Sequence, residues 1–156
     1  MASEAHVINP TIEKFGYPES LLREYDHWVL LLRPAQVTAG SLILAAKSQA
    51  TAYGALGREA FAEQAVAIAE IEATLSCAVH YDRINYLMLM MVDPHVHFHV
   101  IPRYSGSRTI AGIEIADAGW PGPPDLKSAI ALNSAALAAG RSEILSNWQA
   151  AESKAG

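Results

Sequence analysis

The sequence predicts an α+β fold with a mostly antiparallel sheet, one packed helix and a C-terminal helical extension. The order of segments leads to this prediction. Two strand-like apolar segments precede one amphipathic helical segment, two more follow it, and a helical pattern returns only near the C-terminus. The 156 residues suit a single domain over 1–156, because domains typically hold about 100–200 residues. We expect its core over about 20–105 and an extension over about 106–156.

The N-terminal part contains a predicted hairpin. Residues 1–20 mix polar residues with prolines and a glycine, and we expect them to form an irregular arm. Residues 25–32 and 41–46 are rich in apolar residues, which indicates two strands. Pro34 would end the first strand, because proline removes a donor from the ladder. A turn at 38–40 would make the pair antiparallel.

The middle of the chain changes from helical to strand periodicity. Apolar residues recur at spacings of three and four over 60–79, which predicts an amphipathic helix that packs one face on a core. Cys77 lies in this segment, and we expect it to be a small core residue. Residues 84–92 are apolar nearly throughout and predict a central strand covered on both faces. Strict alternation over 95–101 predicts another strand.

The C-terminal third is less regular. Residues 109–115 predict a short strand, and 119–125 are rich in glycine and proline, which favours a rigid extended segment. Asp125 would cap a helix that begins near Leu126. Gly140 would break or kink that helix.

Composition and charge exclude several classes of protein. A hydrophobic fraction of 51% with a charged fraction of 17% indicates a folded chain. No run approaches the roughly 18 apolar residues of a membrane span. The first residues lack signal-peptide regions, and a single cysteine cannot pair within the chain, so we expect a soluble cytoplasmic protein. The net charge of -5 argues against binding to a nucleic-acid backbone, although a local site can still hold a nucleotide.

Three histidines alternate with apolar residues over 95–101. Because successive strand side chains point to opposite faces, His95, His97 and His99 should share one face, about 6–7 Å apart from one to the next. The residues between them would point into a core. Burying three imidazoles for packing alone would cost desolvation, so this face predicts a chemical site.

Two kinds of chemistry fit these histidines. Alternate imidazoles can bind Zn²⁺, although three ligands along one flat strand diverge. A neutral imidazole can also attack phosphorus near pH 7, while its neighbours fix its tautomer and steady the phosphoryl oxygens. A metal site and a nucleophilic site both remain open from the residues alone.

The pattern His-φ-His-φ-His-φ-φ, where φ is apolar, is the signature of the histidine triad nucleotide hydrolases and transferases. Residues 95–101 match it at every position. The resemblance extends backwards to Asn85 in the preceding strand and to the order of the helix and the hairpin before it. Over about 20–105 the chain therefore resembles this family, and 84–104 resemble a bacterial subgroup in particular.

The resemblance implies an enzyme that cleaves at the α-phosphate of a nucleoside phosphate ester, anhydride or phosphoramidate. His97 would attack phosphorus and carry a nucleotidyl-histidine intermediate, His99 would donate to the phosphate oxygens, and His95 would orient His97. Asn85 would help to position the phosphate. The resemblance also implies a purine nucleotide as partner more often than a pyrimidine, a homodimer, and no metal or other cofactor.

Three features depart from the family, and one of them is Ser41, which stands where many members carry a histidine just after the hairpin glycine. Residues 89–94 lack the Gly-rich stretch and the Ser or Thr that many members place before the triad. Asp93 is the polar group there, and it would act as an acid, shape the leaving-group site, or only form a turn before Pro94. Arg33 stands where an acidic ribose-binding residue is common. It would meet a phosphate or an acidic leaving group, or be a solvated strand-end residue.

These departures keep two other functions in view. One is a nucleotide-binding protein with little turnover. The other is a metalloprotein that uses the histidines as ligands.

Overall fold

Nine strands and three α-helices follow one another in residues 8–150, the part of the chain that the computed structural model describes. Their bounds are α1 Pro10–Lys14, β1 Leu21–Glu24, β2 Trp28–Leu32, β3 Ala35–Gln36, β4 Leu42–Ala46, α2 Arg58–Val79, β5 Arg83–Leu87, β6 His97–Arg103, β7 Ser107–Ile110, β8 Ile113–Ala116, β9 Ile130–Ala131 and α3 Ser134–Ser146. The same residues also contain two short 3₁₀ turns, Tyr53–Ala55 and Leu126–Ser128.

Five of the strands form one antiparallel sheet in the order β1-β2-β4-β6-β5. The register places Leu30 opposite Leu44, and Leu44 opposite Phe98. Every residue of β2 and β4 is buried, which is why both segments are apolar throughout instead of alternating. The predicted α+β class with a mostly antiparallel sheet is confirmed.

Helix α2 covers one face of this sheet. Ile71 and Leu75 of the helix share a buried cluster with Trp28, Leu30 and the alternate residues of β4 and β6. Each fully buried side chain of this size contributes about 1.5–3 kcal/mol. The helix begins two residues before the predicted 60–79 and ends at the predicted residue.

The opposite face of the sheet is covered by α1, which sequence reasoning missed. Ile12 of this helix packs on Val29, Leu31 and Ile43 in a second buried cluster. The side chain of Asn9 accepts from the backbone N–H of Ile12 and donates to the carbonyl of Ala46, so it both caps the helix and fastens it to the sheet. The prediction of an irregular arm over 1–20 is wrong for this part. Five helical residues are too few to show a helical period, although an Asn-Pro start is a capping signal.

Several predicted strands differ from those observed, and the predicted strand 95–101 begins only at His97 and continues to Arg103. The segment 25–32 is a strand only from Trp28, because β1 precedes it and pairs back on it. The segment 84–92 is a strand only to Leu87, and it is the edge of the sheet instead of its centre. Met91 and Val92 lie beyond the strand and are 88% and 83% exposed. An apolar run does not by itself imply burial.

The C-terminal third also corrects several predictions. The predicted strand 109–115 is a hairpin of β7 and β8, turned by Ala111 and Gly112 at φ 55° and 74°. Asp125 caps only a 3₁₀ turn, and the helix itself begins at Ser134.

Gly140 neither breaks nor kinks the continuous helix α3. A Cβ at this position would lie 2.9 Å from Cδ2 of Leu32, so the glycine permits close packing on the sheet.

Cys77 is exposed on α2 and not a core residue. Cys77 lies on the side of α2 that faces solvent, and residue type alone does not predict which side of a helix a residue occupies. None of the helices in 8–150 is both long and apolar enough to cross a membrane.

Candidate active site

The three histidines lie on the sheet face that α1 covers. His97 and His99 belong to β6 and are 0% and 6% exposed, while His95 lies just before the strand and is half-buried. Nδ1 of His95 is 3.0 Å from Oγ1 of Thr11 in α1. The residues between the histidines contribute to the core on the other face, as the alternation predicts.

His97 has a defined tautomer. Its Nδ1 lies 2.7 Å from the carbonyl oxygen of His95, and because a carbonyl can only accept, Nδ1 carries the proton and donates. In the neutral ring, Nε2 then bears a lone pair. This Nε2 is buried and has no hydrogen-bond partner among residues 8–150. The chain therefore holds a free imidazole lone pair in a covered site.

His99 lies beside His97 and is kept neutral. The two ring centroids are 5.1 Å apart, and the ring planes meet at 73°. Burial lowers the pKa of His99 to about 4, helped by the positive charges of Arg33 and Lys14 and by electrostatic coupling to His97, and opposed by the carboxylate of Asp93. Near neutral pH this ring is therefore uncharged.

Phe15, which follows α1, covers both rings. Its centroid is 5.7 Å from that of His97 and 5.6 Å from that of His99. Next to it, Nζ of Lys14 lies 2.8 Å from a carboxylate oxygen of Asp93. Phe15, Lys14 and Thr11 together form a lid over the triad.

Sequence reasoning missed these three lid residues. The cap at Asn9 and Pro10 signals a helix in the arm, but not the face of the sheet on which it packs.

The remaining predicted site residues fall at different distances from the triad. Asp93 joins the loop before β6 to the lid through Lys14. Arg33 is half-buried instead of solvated, and its Nε lies 3.3 Å from Nδ1 of His99. Burial lowers the pKa of its guanidinium.

Asn85 lies further along the same face, opposite Ile101 in the sheet. Its side-chain oxygen accepts from Nη1 of Arg103 at 2.8 Å. Both residues line a cavity of about 680 Å³ with Trp120. Asn85 is therefore part of the wall of this cavity, where it is hydrogen-bonded to Arg103.

Metal ligation finds little support in the arrangement. No group of three or more His, Cys, Asp or Glu side chains within residues 8–150 is placed to hold one ion. Alternate strand positions spread the three imidazoles, and the hydrogen bond from Nδ1 of His97 to a carbonyl leaves that ring one nitrogen, Nε2, for any ligand.

Solved structures share this fold. A histidine triad protein from Sinorhizobium meliloti matches at a TM-score of 0.70 with 20% identity, covering 90% of this chain and 96% of its own. One from Bradyrhizobium japonicum matches at 0.68 with 15% identity, covering 92% and 98%. A hypothetical histidine triad nucleotide-binding protein from Sulfolobus tokodaii matches at 0.63 with 17% identity, covering 82% of each chain.

At sequence level, no protein-family model and no curated relative matches. At this level of identity the structural matches establish the fold. The chain accordingly has the histidine triad fold, which confirms the resemblance that its histidine pattern predicts.

Proposed function

We propose that this chain is a nucleotidyl hydrolase or transferase that works through a covalent nucleotidyl-histidine intermediate. The observation that carries the proposal is the unpartnered Nε2 of His97, whose lone pair is fixed by the hydrogen bond from Nδ1 to the carbonyl of His95. An imidazole in this tautomer is a nucleophile near neutral pH. His95 contributes its backbone to this arrangement, and its ring meets Thr11.

The reaction would proceed in two displacements. In the first, Nε2 of His97 bonds to the α-phosphorus while the bond from phosphorus to the leaving oxygen or nitrogen breaks, and the leaving group departs with that electron pair and gains a proton. In the second, the oxygen of water or of another acceptor bonds to phosphorus and loses its proton. The P–N bond then breaks and returns its electron pair to Nε2.

The charge that develops on the phosphoryl oxygens needs donors. His99 would supply one, because a neutral imidazole carries one N–H. Donors aimed at developing charge are usually the largest single contribution to catalysis. Asn85 remains a proposed phosphate ligand, and since its oxygen accepts from Arg103, its NH₂ group is the part that a phosphate oxygen would meet.

The resemblance supports the finer features of this proposal. They are a purine nucleotide as substrate, a homodimer, a cytoplasmic location and a reaction that uses no cofactor. The Sulfolobus tokodaii protein, described as nucleotide-binding, is consistent with a nucleotide in this fold. A mass near that of one chain in equilibrium sedimentation would contradict the homodimer.

One observation favours a second candidate function. The nucleophile is 0% exposed beneath the lid, so a nucleotide that bound beside the closed lid would not reach Nε2 of His97 and would be held with little turnover. The two candidates predict the same ligand class and differ in whether the ligand is cleaved.

The test is to incubate the full chain with an adenosine phosphoramidate and with a dinucleoside polyphosphate, each with and without a chelator. We expect mononucleotide release that survives the chelator and is lost in His97→Gln. Quenching at alkaline pH, where the P–N bond of a nucleotidyl-histidine is stable, should trap a nucleotidyl group on His97, detected by mass spectrometry of the peptide. His27→Gln is the matched control, because His27 is exposed and outside the triad.

The outcomes separate the candidates. Saturable binding without release would favour the nucleotide-binding protein. Release that stops with the chelator and returns with Zn²⁺ would favour the metalloprotein. Release that persists unchanged in His97→Gln would reject the proposed nucleophile.

A further inference from the structure

We propose that Arg33 is a positioning residue that holds His99 in the neutral tautomer whose proton is on Nε2. The proposal starts from the hydrogen bond between Nε of Arg33 and Nδ1 of His99, 3.3 Å long. A guanidinium can only donate, so Nδ1 of His99 must accept with a lone pair. In the neutral ring the single proton is then on Nε2.

The surrounding chain holds Arg33 in place for this contact. Its Nη1 donates to the carbonyl of Ala35, and its own carbonyl accepts from Nε2 of Gln36 at 2.7 Å. Pro34 follows directly and restricts the backbone of the residue before it. Both the side chain and the backbone of Arg33 are therefore fixed, as a positioning residue requires.

The result is a complementary pair of rings. His97 presents a lone pair on Nε2, because its Nδ1 donates to a carbonyl. His99 presents an N–H on Nε2, because its Nδ1 accepts from Arg33. The opposite tautomer of His99 would direct a lone pair at the phosphoryl oxygens and repel them. Arg33 thus sets a donor next to the nucleophile without itself having to touch the substrate.

Charge acts in the same direction as the hydrogen bond. Protonation of His99 would cost the bond to Arg33 and place two cations in contact. The charged and titratable groups that act on His99 are Arg33 after β2, Lys14 of α1, Asp93 in the loop before β6, and His97 of β6. Three of these oppose a proton on His99, and Asp93 favours it.

The tautomer can be observed without any substrate. Imidazole ¹⁵N chemical shifts distinguish a protonated from an unprotonated ring nitrogen, and we would follow them for His99 in the full chain through a pH titration. At pH 7 we expect Nδ1 unprotonated and Nε2 protonated. A protonated Nδ1 in the wild-type chain would overturn the proposal whatever the variants do.

Variants at Arg33 test the cause. Arg33→Met should give a mixture of tautomers and a higher pKa for His99, whereas Arg33→Lys keeps the charge and should hold that pKa nearer to its wild-type value. Arg58→Met removes an exposed cation from α2, on the opposite face of the sheet, and should change neither. The same His99 tautomer and pKa in wild type and Arg33→Met would reject the role.

The kinetic consequence rests on the proposed function. Arg33→Met should lower kcat about tenfold, as expected from losing a hydrogen bond to a charged group, with little change in KM. A higher KM at unchanged kcat would instead make Arg33 a substrate ligand. If the wild-type chain and all variants release no nucleotide, while the ¹⁵N shifts show the expected His99 tautomers, the positioning role stands and the proposed function fails.

Discussion

The ring of Phe15 lies over that of His97, with 5.7 Å between their centroids, and the nucleophilic nitrogen is enclosed beneath it. His97 is 0% exposed, so no substrate phosphorus can reach Nε2 in this conformation. Access requires that the lid of Thr11, Lys14 and Phe15 moves. The side-chain contacts of Phe15 with the triad and of Lys14 with Asp93 can each be tested by substitution.

Removal of the Phe15 ring should expose His97. Phe15→Ala deletes the aromatic cover and leaves α1 anchored through Asn9, so we expect diethyl pyrocarbonate to modify His97 several times faster than in the wild type. Mass spectrometry of the peptide that contains residue 97 gives the rate. Phe61→Ala is the control, because Phe61 is a partly exposed aromatic on α2. Equal rates in Phe15→Ala and wild type would show that Phe15 does not limit access.

The salt bridge between Lys14 and Asp93 should contribute little to closure. Lys14 is 52% exposed at its side chain, and exposed pairs are worth about 0–1 kcal/mol. Lys14→Met and Asp93→Asn break the same pair, so both should speed modification of His97 equally and by less than about fivefold.

The same two variants decide whether Asp93 has a chemical role. If Asp93 only holds the lid, Asp93→Asn and Lys14→Met should have similar kcat/KM for nucleotide release. General acid catalysis is typically worth at least about 100-fold. A loss of that size in Asp93→Asn alone, with the fold intact by circular dichroism, would assign the acid to Asp93.

The parts of the site that local patterns encode could be predicted from the sequence. The alternation in β6 places His97 and His99 on one face because the strand period is two. In the same way, apolar residues at spacings of three and four predict α2. The contacts that complete the site are not local. Thr11 meets His95 across 84 positions, and Arg33 meets His99 across 66, and no periodicity in either segment points to its partner.

The wrong predictions have a common physical cause. Residues 88–92 are apolar, which favoured a continuous buried strand, but the sheet ends there and Met91 remains exposed. Cys77 lies in an apolar helical segment and still faces solvent. Residue type sets the free energy of burial, while the neighbouring elements decide whether a residue is covered.

His99 should make stability depend on pH. The unfolded chain takes up a proton on this histidine near its ordinary pKa of 6.5, whereas the folded chain resists until about pH 4. The free energy of unfolding should therefore fall as the pH drops from about 6.5 to about 4, by up to about 3 kcal/mol from this group. Urea unfolding at several pH values measures it. His99→Gln should flatten the slope, and His27→Gln should leave it unchanged; the same slope in all three chains would contradict the assignment.

The ion pair between Arg103 and Asp117 should be the costliest polar contact to break. Nε of Arg103 lies 2.7 Å from Oδ2 of Asp117, and Nη2 lies 3.0 Å from Oδ1, with both residues buried. The carboxylate also accepts from the backbone N–H groups of Tyr104 and Gly119. The pair therefore joins the end of β6 to the segment that follows β8.

Asp117→Ala leaves a buried guanidinium without its counterion, and loss of one partner of a buried pair costs about 3–5 kcal/mol. We expect a fall of this size in the free energy of unfolding, measured in urea. Asp125→Ala is the control, because Asp125 only caps an exposed 3₁₀ turn and should cost about 1 kcal/mol. Arg103→Met combined with Asp117→Ala should recover part of the loss, since no unpaired charge then remains. If the double variant is instead as unstable as the two single losses added together, the cost comes from packing and not from the uncompensated charge.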